Sequence, residues 1–415
     1  MTSSNSQLLL PSGETVKVHA SFPAPDRPAG EHVDRLLSVA TEYGASDIHL
    51  EPHPSGFAVR LRIDGVLQTI HEFPTSIQAS ITSRMKVMTM MDITEKRLPQ
   101  DGQTKVVIGK DTISLRMSTL PGKYGEKIVV RLLGSAISSL DLGQMGMDPK
   151  TESLFEMLIL KPQGMVLVTG PTGSGKSTTL YAAIKRLRDP LKNIITLEDP
   201  IEYDLLAGMD QAGVTQVQMN PKVGLTFATA MRASLRQDPD IIMVGEIRDR
   251  ETAEVAMRAA MTGHLVFSTL HTTGAPETIG RLRDIGVDAY LIASTVRAVL
   301  AQRLVRVLCE SCKEAYTLPA RALKTLFTDA SGSIKLHRPK GCPECRGTGY
   351  HGRKGIYELL NIDEEFREMI QTDVPVAELR KASVRKGILT LRQSALDLVS
   401  QGITSVEEVY RTTME

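Results

Sequence analysis

The sequence predicts an α/β protein: a parallel-sheet domain, preceded by a small α+β domain and carrying a cysteine-bearing insert. Three observations lead there. The run Gly170-Pro171-Thr172-Gly173-Ser174-Gly175-Lys176-Ser177 has the G-x4-G-K-[ST] spacing of a phosphate-binding loop. Short apolar β segments alternate with helical ones from Thr151 onward. Two C-x2-C pairs, Cys309/Cys312 and Cys342/Cys345, use all four cysteines of the chain.

Residues 1–30 are rich in Ser, Pro, Ala and Gly and read as a disordered tail. An α+β domain follows over 31–134. Its first helix, Glu31 to Gly44, carries Val33, Leu36, Leu37, Val39 and Ala40 on one side. Period-2 segments predict strands at Ser46–Glu51, Phe57–Ile63, Val66–Ile70, Thr104–Ile108, Ile113–Ser118 and Lys127–Leu133, with a helix at Ser76–Met91 between them. Residues 135–150 read as a linker. The parallel-sheet domain occupies 151–415, with strands at 165–169, 194–197, 241–244 and 265–269 and the insert at 309–350. Its C-terminus is helical, with a capping box at Thr404-Ser405-Val406-Glu407.

At 415 residues the chain accommodates two or three cores. Its net charge of +1 argues against a protein whose main task is coating nucleic acid. No apolar run approaches the roughly 18 residues of a membrane span, and no signal peptide opens the chain. A cytoplasmic protein, associated with membranes only through partners, is expected.

In the phosphate loop, Met165–Thr169 is the strand and Ser177 opens the helix. Glycines let successive N–H groups point at phosphate oxygens, and the helix N-terminus adds a favourable dipole. Gly170, Pro171, Thr172, Gly173, Ser174, Gly175 and Thr178 complete the cradle, Lys176 reaches the β/γ-phosphates, and the Ser177 hydroxyl sits on Mg²⁺. The expected ligand is a nucleoside triphosphate.

Asp238–Glu246 is an apolar strand delivering an acid at its carboxyl end, and Glu246 is the candidate for activating water. A second strand ends in Glu198-Asp199-Pro200, either extending the metal shell through water or capping a turn; Glu198 is preferred of the two acids. His264 and His271 flank the strand 265–269, and His271, after it, is better placed to sense a γ-phosphate. The paired C-x2-C knuckles suit four thiolates around Zn²⁺ in a closed structural site; disulfides are the alternative, disfavoured in a cytosolic protein. Arg60, Arg62, Arg97, Arg116 and Arg131 lie on or beside strands of the first domain, where arginine can stabilise transition-state charge or simply be solvated.

Further motifs point to a family. Ser46-Asp47-Ile48-His49-Leu50-Glu51-Pro52, Arg62-Ile63-Asp64-Gly65-Val66-Leu67, Leu98-Pro99-Gln100-Asp101-Gly102, Ser118-Thr119-Leu120-Pro121 and Gly125-Glu126-Lys127 resemble N-terminal-domain motifs of the secretion ATPase superfamily. Glu198-Asp199-Pro200-Ile201-Glu202 resembles its aspartate box, and Gly245-Glu246-Ile247-Arg248-Asp249 its Walker B motif. Thr262-Gly263-His264 through Ser268-Thr269-Leu270-His271-Thr272 resembles its histidine box. The paired C-x2-C insert is similar to that of type II secretion and type IV pilus assembly ATPases. The stretches Gln216–Ala228 and Leu235–Pro239 look closest to the secretion branch.

The resemblance implies a RecA-like P-loop ATPase domain preceded by a PAS-like domain. It implies a homo-hexamer that binds ATP with Mg²⁺ and Zn²⁺. Arg62, Arg116 and Arg131 would close on the phosphates, with Glu246, Glu198, His271 and Lys176 serving catalysis. The expected partners are platform proteins of a bacterial inner membrane, to whose cytoplasmic side the ATPase is peripheral, and hydrolysis would drive pseudopilin or pilin assembly. Family members commonly carry a further N-terminal docking domain, so a shortened or naturally short member without cyclic-dinucleotide regulation is expected. The stretch Leu205–Gln211 is longer than usual in the family. A nucleic-acid translocase and a non-hydrolysing ATP-binding subunit are the alternatives. Low aromatic content (4%) speaks against the first, and intact Lys176, Ser177 and Glu246 against the second.

Overall fold

The computed structural model describes residues 7–9, 15–17, 21–108, 111–133, 141–206, 213–317 and 335–414. Most of the expected tail, the start of the linker, residues 207–211 of the long stretch and residues 318–334 of the insert lie outside them. Two compact units emerge. One comprises Met1–Ser135, Leu308–Glu314 and Arg338–Gly352; the other Ala136–Val307, Ala315–His337 and Arg353–Glu415.

In the first unit, β1 (Gln7–Leu9) pairs with β2 (Thr15–Lys17). Helix α1 (Ala29–Glu42) leads to the meander β3 (Asp47–His53), β4 (Gly56–Ile63) and β5 (Val66–Pro74). Helix α2 (Thr75–Met88) precedes β6 (Gln100–Ile108), β7 (Asp111–Gly122) and β8 (Gly125–Leu133). The six strands form one antiparallel sheet in the order β5-β4-β3-β8-β7-β6. Val33, Leu36 and Leu37 of α1 and Ile77, Ile81 and Met85 of α2 are buried with Ile48, Val59, Leu61 and Val130 of the sheet. Alternation along the strands sends polar residues to the other face. Residues 21–28, read from sequence as tail, are anchored in part: the Phe22 ring stacks on His71 with centroids 4.4 Å apart, and Arg35 Nε donates to the Ser21 carbonyl.

The second unit holds α3 (Pro149–Ile159), β9 (Gly164–Thr169), α4 (Lys176–Leu187), β10 (Ile194–Glu198), β11 (Val214–Gln218) and α5 (Phe227–Ser234). There follow β12 (Ile241–Val244), α6 (Arg250–Met261), β13 (Leu265–Leu270), α7 (Ala275–Asp284), α8 (Ala289–Thr295) and β14 (Val296–Leu308). The ribbon β15 (Glu314–Thr317) and β16 (Lys335–Arg338) precedes β17 (Tyr350–Asn361). Helices α9 (Glu364–Gln371), α10 (Val376–Arg385), α11 (Leu391–Ser400) and α12 (Val406–Thr413) complete the chain.

Seven strands run in the order β11-β10-β12-β13-β9-β14-β17, with β11, β10, β12, β13, β9 and β14 mutually parallel. The strands β9, β10, β12 and β13 are buried at every position. Helices cover both faces of such a sheet, so its central strands read as near-continuous apolar runs. Those four were predicted. The strands β11, β14 and β17 were not, because Gln, Thr and Arg interrupt their apolar pattern. Asp148 and Asp249 cap α3 and α6, their carboxylates accepting the Thr151 and Thr252 N–H groups at 3.0 and 2.8 Å.

The capping box is displaced by one residue. Ser405, not Thr404, is the N-cap of α12 and accepts the Glu408 N–H, while the Thr404 hydroxyl donates to the Arg306 carbonyl at 2.8 Å. The Glu408 carboxylate is taken up by Arg306 and Arg411, which leaves it no role as the box's return partner.

Candidate functional site

Backbone geometry explains the glycines of the loop between β9 and α4. Gly170 has φ 146° and Gly175 φ 87°. A Cβ on Gly170 would stand 2.3 Å from the Gln302 carbonyl oxygen, and one on Gly175 would stand 2.8 Å from the Gln302 amide nitrogen. Only glycine fits both positions. Pro171, Thr172 and Gly173 are exposed at the loop's crest, Ser177 and Thr178 are half-buried on the first turn of α4, and Thr178 hydrogen-bonds Tyr203.

Lys176 is buried and folds back on this loop, donating to the carbonyls of Gly170 at 2.8 Å and Pro171 at 3.0 Å. Burial pulls its pKa down to about 8, opposed by the nearby carboxylates of Glu246 and Glu202. The Ser174 hydroxyl is buried with no hydrogen-bond partner. A loop with a charged amine held only by carbonyls and an orphaned hydroxyl fits a polyphosphate, which supplies acceptors to both.

Glu246 follows β12 and His271 follows β13, so both rise from the carboxyl edge of the sheet beside the loop that follows β9. His271 Nε2 lies 3.7 Å from Glu246 Oε2, and Arg248 donates to the other carboxylate oxygen. The His271 pKa is lowered by burial and by the Lys176 charge, so its ring is neutral near pH 7. His264 is at the opposite end of β13, its ring Nδ1 3.0 Å from the Ala259 carbonyl at the end of α6.

Glu198 is deeply buried and Asp199 exposed. The Glu198 carboxylate accepts the Tyr181 hydroxyl, the Thr196 hydroxyl at 2.6 Å and the Gln216 amide at 3.0 Å. Burial raises its pKa and these hydrogen bonds oppose the rise. Tyr181 belongs to α4, so the helix that opens with Lys176 is tied to β10 through this carboxylate.

Several of these partners escaped the sequence reading. Gln302, 2% exposed, accepts the Thr179 hydroxyl at 2.7 Å and backs the loop. Thr169, just before the loop, accepts the Thr272 N–H at 3.0 Å and pairs with its hydroxyl at 2.6 Å. No spacing rule marks Gln302, Tyr181 or Thr169, whose importance comes from β14, α4 and β9 meeting in space.

In the first unit, three predicted arginines share one line across the sheet. Asp47 is registered opposite Arg62 on one side and Arg131 on the other, and Arg131 opposite Arg116. The Asp47 carboxylate accepts Arg131 Nε at 3.0 Å and lies 3.6 Å from Arg62 Nε. Arg60 instead pairs with Glu51 at 2.9 Å, and the exposed Arg97 with Glu95 at 2.8 Å.

The four cysteines also converge. Sulfur separations are 3.8 Å for Cys309–Cys342, 3.8 Å for Cys312–Cys345 and 3.6 Å for Cys342–Cys345. A tetrahedron with Zn–S bonds of about 2.3 Å has edges of about 3.8 Å, so the donor set fits Zn²⁺. The N–H groups of Cys342 and Gly349 donate to Cys345 Sγ at 3.1 and 3.2 Å, which suits a thiolate. Burial pushes the Cys312 thiol up to about 12, a cost a bound dication removes. The sequence reading placed this insert within the ATPase domain. In the structure both knuckles group with the first unit, where Arg346 stacks over Tyr43 at 4.8 Å and the Gly352 N–H donates to Asp64 at 2.9 Å.

The comparisons agree with this architecture. The chain is 45% identical over 390 residues to the Type II secretion system ATPase E of Vibrio cholerae, covering 94% of this chain and 76% of the relative. It is 47% identical over 395 residues to the type IV pilus assembly ATPase PilB of Acinetobacter baylyi, covering 94% and 67%. A crystal structure of the pilus retraction motor PilT with bound ADP matches with TM-score 0.64 at 28% identity, covering 92% of this chain and 97% of that one. The family model described as Type II/IV secretion system protein spans residues 24–411. By its phosphate loop, by the acids and histidine at its sheet edge, and by this match, the chain belongs to the Type II/IV secretion system protein family.

Proposed function

We propose that this chain is an ATP-hydrolysing motor that powers pseudopilus assembly and protein export in type II secretion. The observation that carries the hydrolytic reading is the placement of Lys176, Glu246 and His271 on the carboxyl edge of neighbouring parallel strands, with Glu246 and His271 3.7 Å apart. Lys176 exchanges its carbonyl partners for β/γ-phosphate oxygens, joined by Ser174 and the loop N–H groups. Ser177 holds Mg²⁺, which neutralises phosphate charge when bound. Glu246 aligns a water and takes its proton as the water oxygen bonds to the γ-phosphorus and the bond to the bridging oxygen breaks. Neutral His271 donates a ring N–H toward the γ-phosphate. Glu198 keeps the base of α4 registered on β10. Arg62, Arg116 and Arg131 supply positive charge from the N-terminal domain, and Asp47 sets the spacing of Arg62 and Arg131. The cysteines hold structural zinc.

Six copies in a ring, peripheral to the cytoplasmic face of a bacterial inner membrane, act on a membrane platform protein. Among the described residues no helix is long and apolar enough to cross a membrane, in keeping with attachment through partners. The net charge of +1 and the absence of Trp favour a protein partner over nucleic acid. Type IV pilus assembly is the second reading, favoured by the 47% identity to PilB.

The test is co-purification of ATP-loaded, tagged Glu246→Gln protein from its own cell membranes, with partners identified by mass spectrometry. Secretion-platform and pseudopilin proteins would support the first reading. Pilus platform and pilin would replace it with the second, and recovered nucleic acid would overturn both.

A further inference from the structure

Strand β14 carries Arg303 directly after Gln302, whose carbonyl oxygen packs against Gly170 of the phosphate loop. Ala301 is registered opposite Thr169 of β9, so Arg303 stands at the carboxyl edge of the sheet, beside that loop. Its guanidinium spans two main-chain carbonyls from distant parts of the chain. Nη1 donates to the Thr412 carbonyl, and Nη2 donates to the Thr273 carbonyl at 3.2 Å. Thr412 lies in the last turn of α12, where carbonyls have no helical N–H to accept and a cation is favoured by the helix dipole. Thr273 is two residues beyond His271, in the segment between β13 and α7.

The same segment is fastened from β9. The Thr272 N–H donates to the Thr169 hydroxyl oxygen at 3.0 Å, and the Thr272 hydroxyl lies 2.6 Å from that of Thr169 and 2.8 Å from that of Thr278. Residues 272 and 273 are thus held by β9 and β14, the strand that leads into the phosphate loop and the strand beside it. These bonds fix peptide planes within two residues of His271, and so bear on where its ring stands relative to Glu246 Oε2, 3.7 Å away.

Seating α12 on β14 does not depend on Arg303. The buried Glu408 carboxylate accepts the Arg306 main-chain N–H at 3.0 Å and its guanidinium at 3.0 and 2.7 Å, and the Thr404 hydroxyl donates to the Arg306 carbonyl at 2.8 Å. What Arg303 adds is a bridge from the end of α12 to the His271 segment. The planar fork of a guanidinium suits two acceptors at a fixed spacing, which an ammonium on a flexible stem does not.

We propose that Arg303 is a positioning residue for ATP hydrolysis: by bridging the Thr273 and Thr412 carbonyls it braces the His271 segment against the C-terminal helix α12. The inference rests on the role given to His271 above.

The test is a double-mutant cycle in the full chain: Arg303→Ala, His271→Ala and the two combined, with kcat and KM for ATP and the melting temperature of each. We expect Arg303→Ala to lower kcat on the order of tenfold, as misplacement near reacting groups does, with KM little changed and the protein folded at the assay temperature. Because Arg303 acts through His271, the combined variant should lose no more than His271→Ala alone, a coupling that general destabilisation does not produce. Wild-type kcat in Arg303→Ala would overturn the proposal, and so would losses that multiply in the combined variant. If Arg303→Ala does not fold, Arg303→Lys, which keeps the charge without the fork, replaces it in the same cycle and is read by the same two criteria. Wild-type turnover in His271→Ala would overturn the role of that histidine, a result distinct from failure at Arg303.

Discussion

Glu246 and His271 stand at the ends of adjacent parallel strands with Oε2 and Nε2 3.7 Å apart, and Arg248 holds the other Glu246 oxygen. The geometry presents a carboxylate beside an imidazole whose pKa burial lowers. Glu246→Gln should therefore bind ATP normally while turnover falls about 10²–10⁴-fold, the range for loss of a general base. Phosphate release and equilibrium nucleotide binding check this, and wild-type release would remove the role from Glu246.

Lys176 carries a pH prediction. With its pKa at about 8 in the free protein, it loses its proton above that pH, whereas a bound triphosphate favours the charged amine. ATP affinity should decline as pH rises through about 8, and binding at pH 8–9 should take up a proton. Calorimetry in buffers of different ionisation enthalpy reads that proton directly. For folding, a lysine whose pKa is lowered penalises the charged state, so its cost is present below pH 8 and fades toward pH 10.5.

Tyr181→Phe removes one of the three hydrogen bonds to buried Glu198 and should destabilise the chain by about 1–3 kcal/mol. Because burial raises the Glu198 pKa, its ionised form already weakens folding above the ordinary carboxylate range. The loss should thus be larger at pH 8 than at pH 5, as denaturant titrations at the two pH values would show. Equal losses would mean that Tyr181 acts only by packing.

Removing zinc gives a different pattern. Metal analysis should find one zinc per chain, and a strong chelator or Cys345→Ser should lower the melting temperature, since metal affinity is folding free energy for such a site. Zinc-free protein with an unchanged melting curve would assign the four cysteines another role.

The first domain was legible strand by strand because alternation reports a sheet covered by helices on one face only. Phe57–Ile63 is an example: its odd-numbered positions are buried and its even-numbered ones reach the polar face. The central strands β9, β10, β12 and β13 were legible for the opposite reason, their short, mostly apolar runs buried at every position. At the edge, β11 interleaves Thr and Gln with Val, and nothing in that local pattern distinguishes strand from loop. The C-terminal cap was misread by one residue because Thr404 and Ser405 offer the same chemistry, and only the Arg306 carbonyl claims Thr404.

The sequence by itself located the phosphate loop, the carboxyl-end Glu246 and the paired cysteines. Each is a local spacing of residue types whose backbone or charge requirements allow few other uses. Only the tertiary structure decided which of the neighbours matter. It set Asp47 between Arg62 and Arg131, buried Glu198 under Tyr181 and backed the loop with Gln302. These relationships join residues far apart in the chain, and their energies come from burial and hydrogen-bond satisfaction that exist only once the strands are assembled.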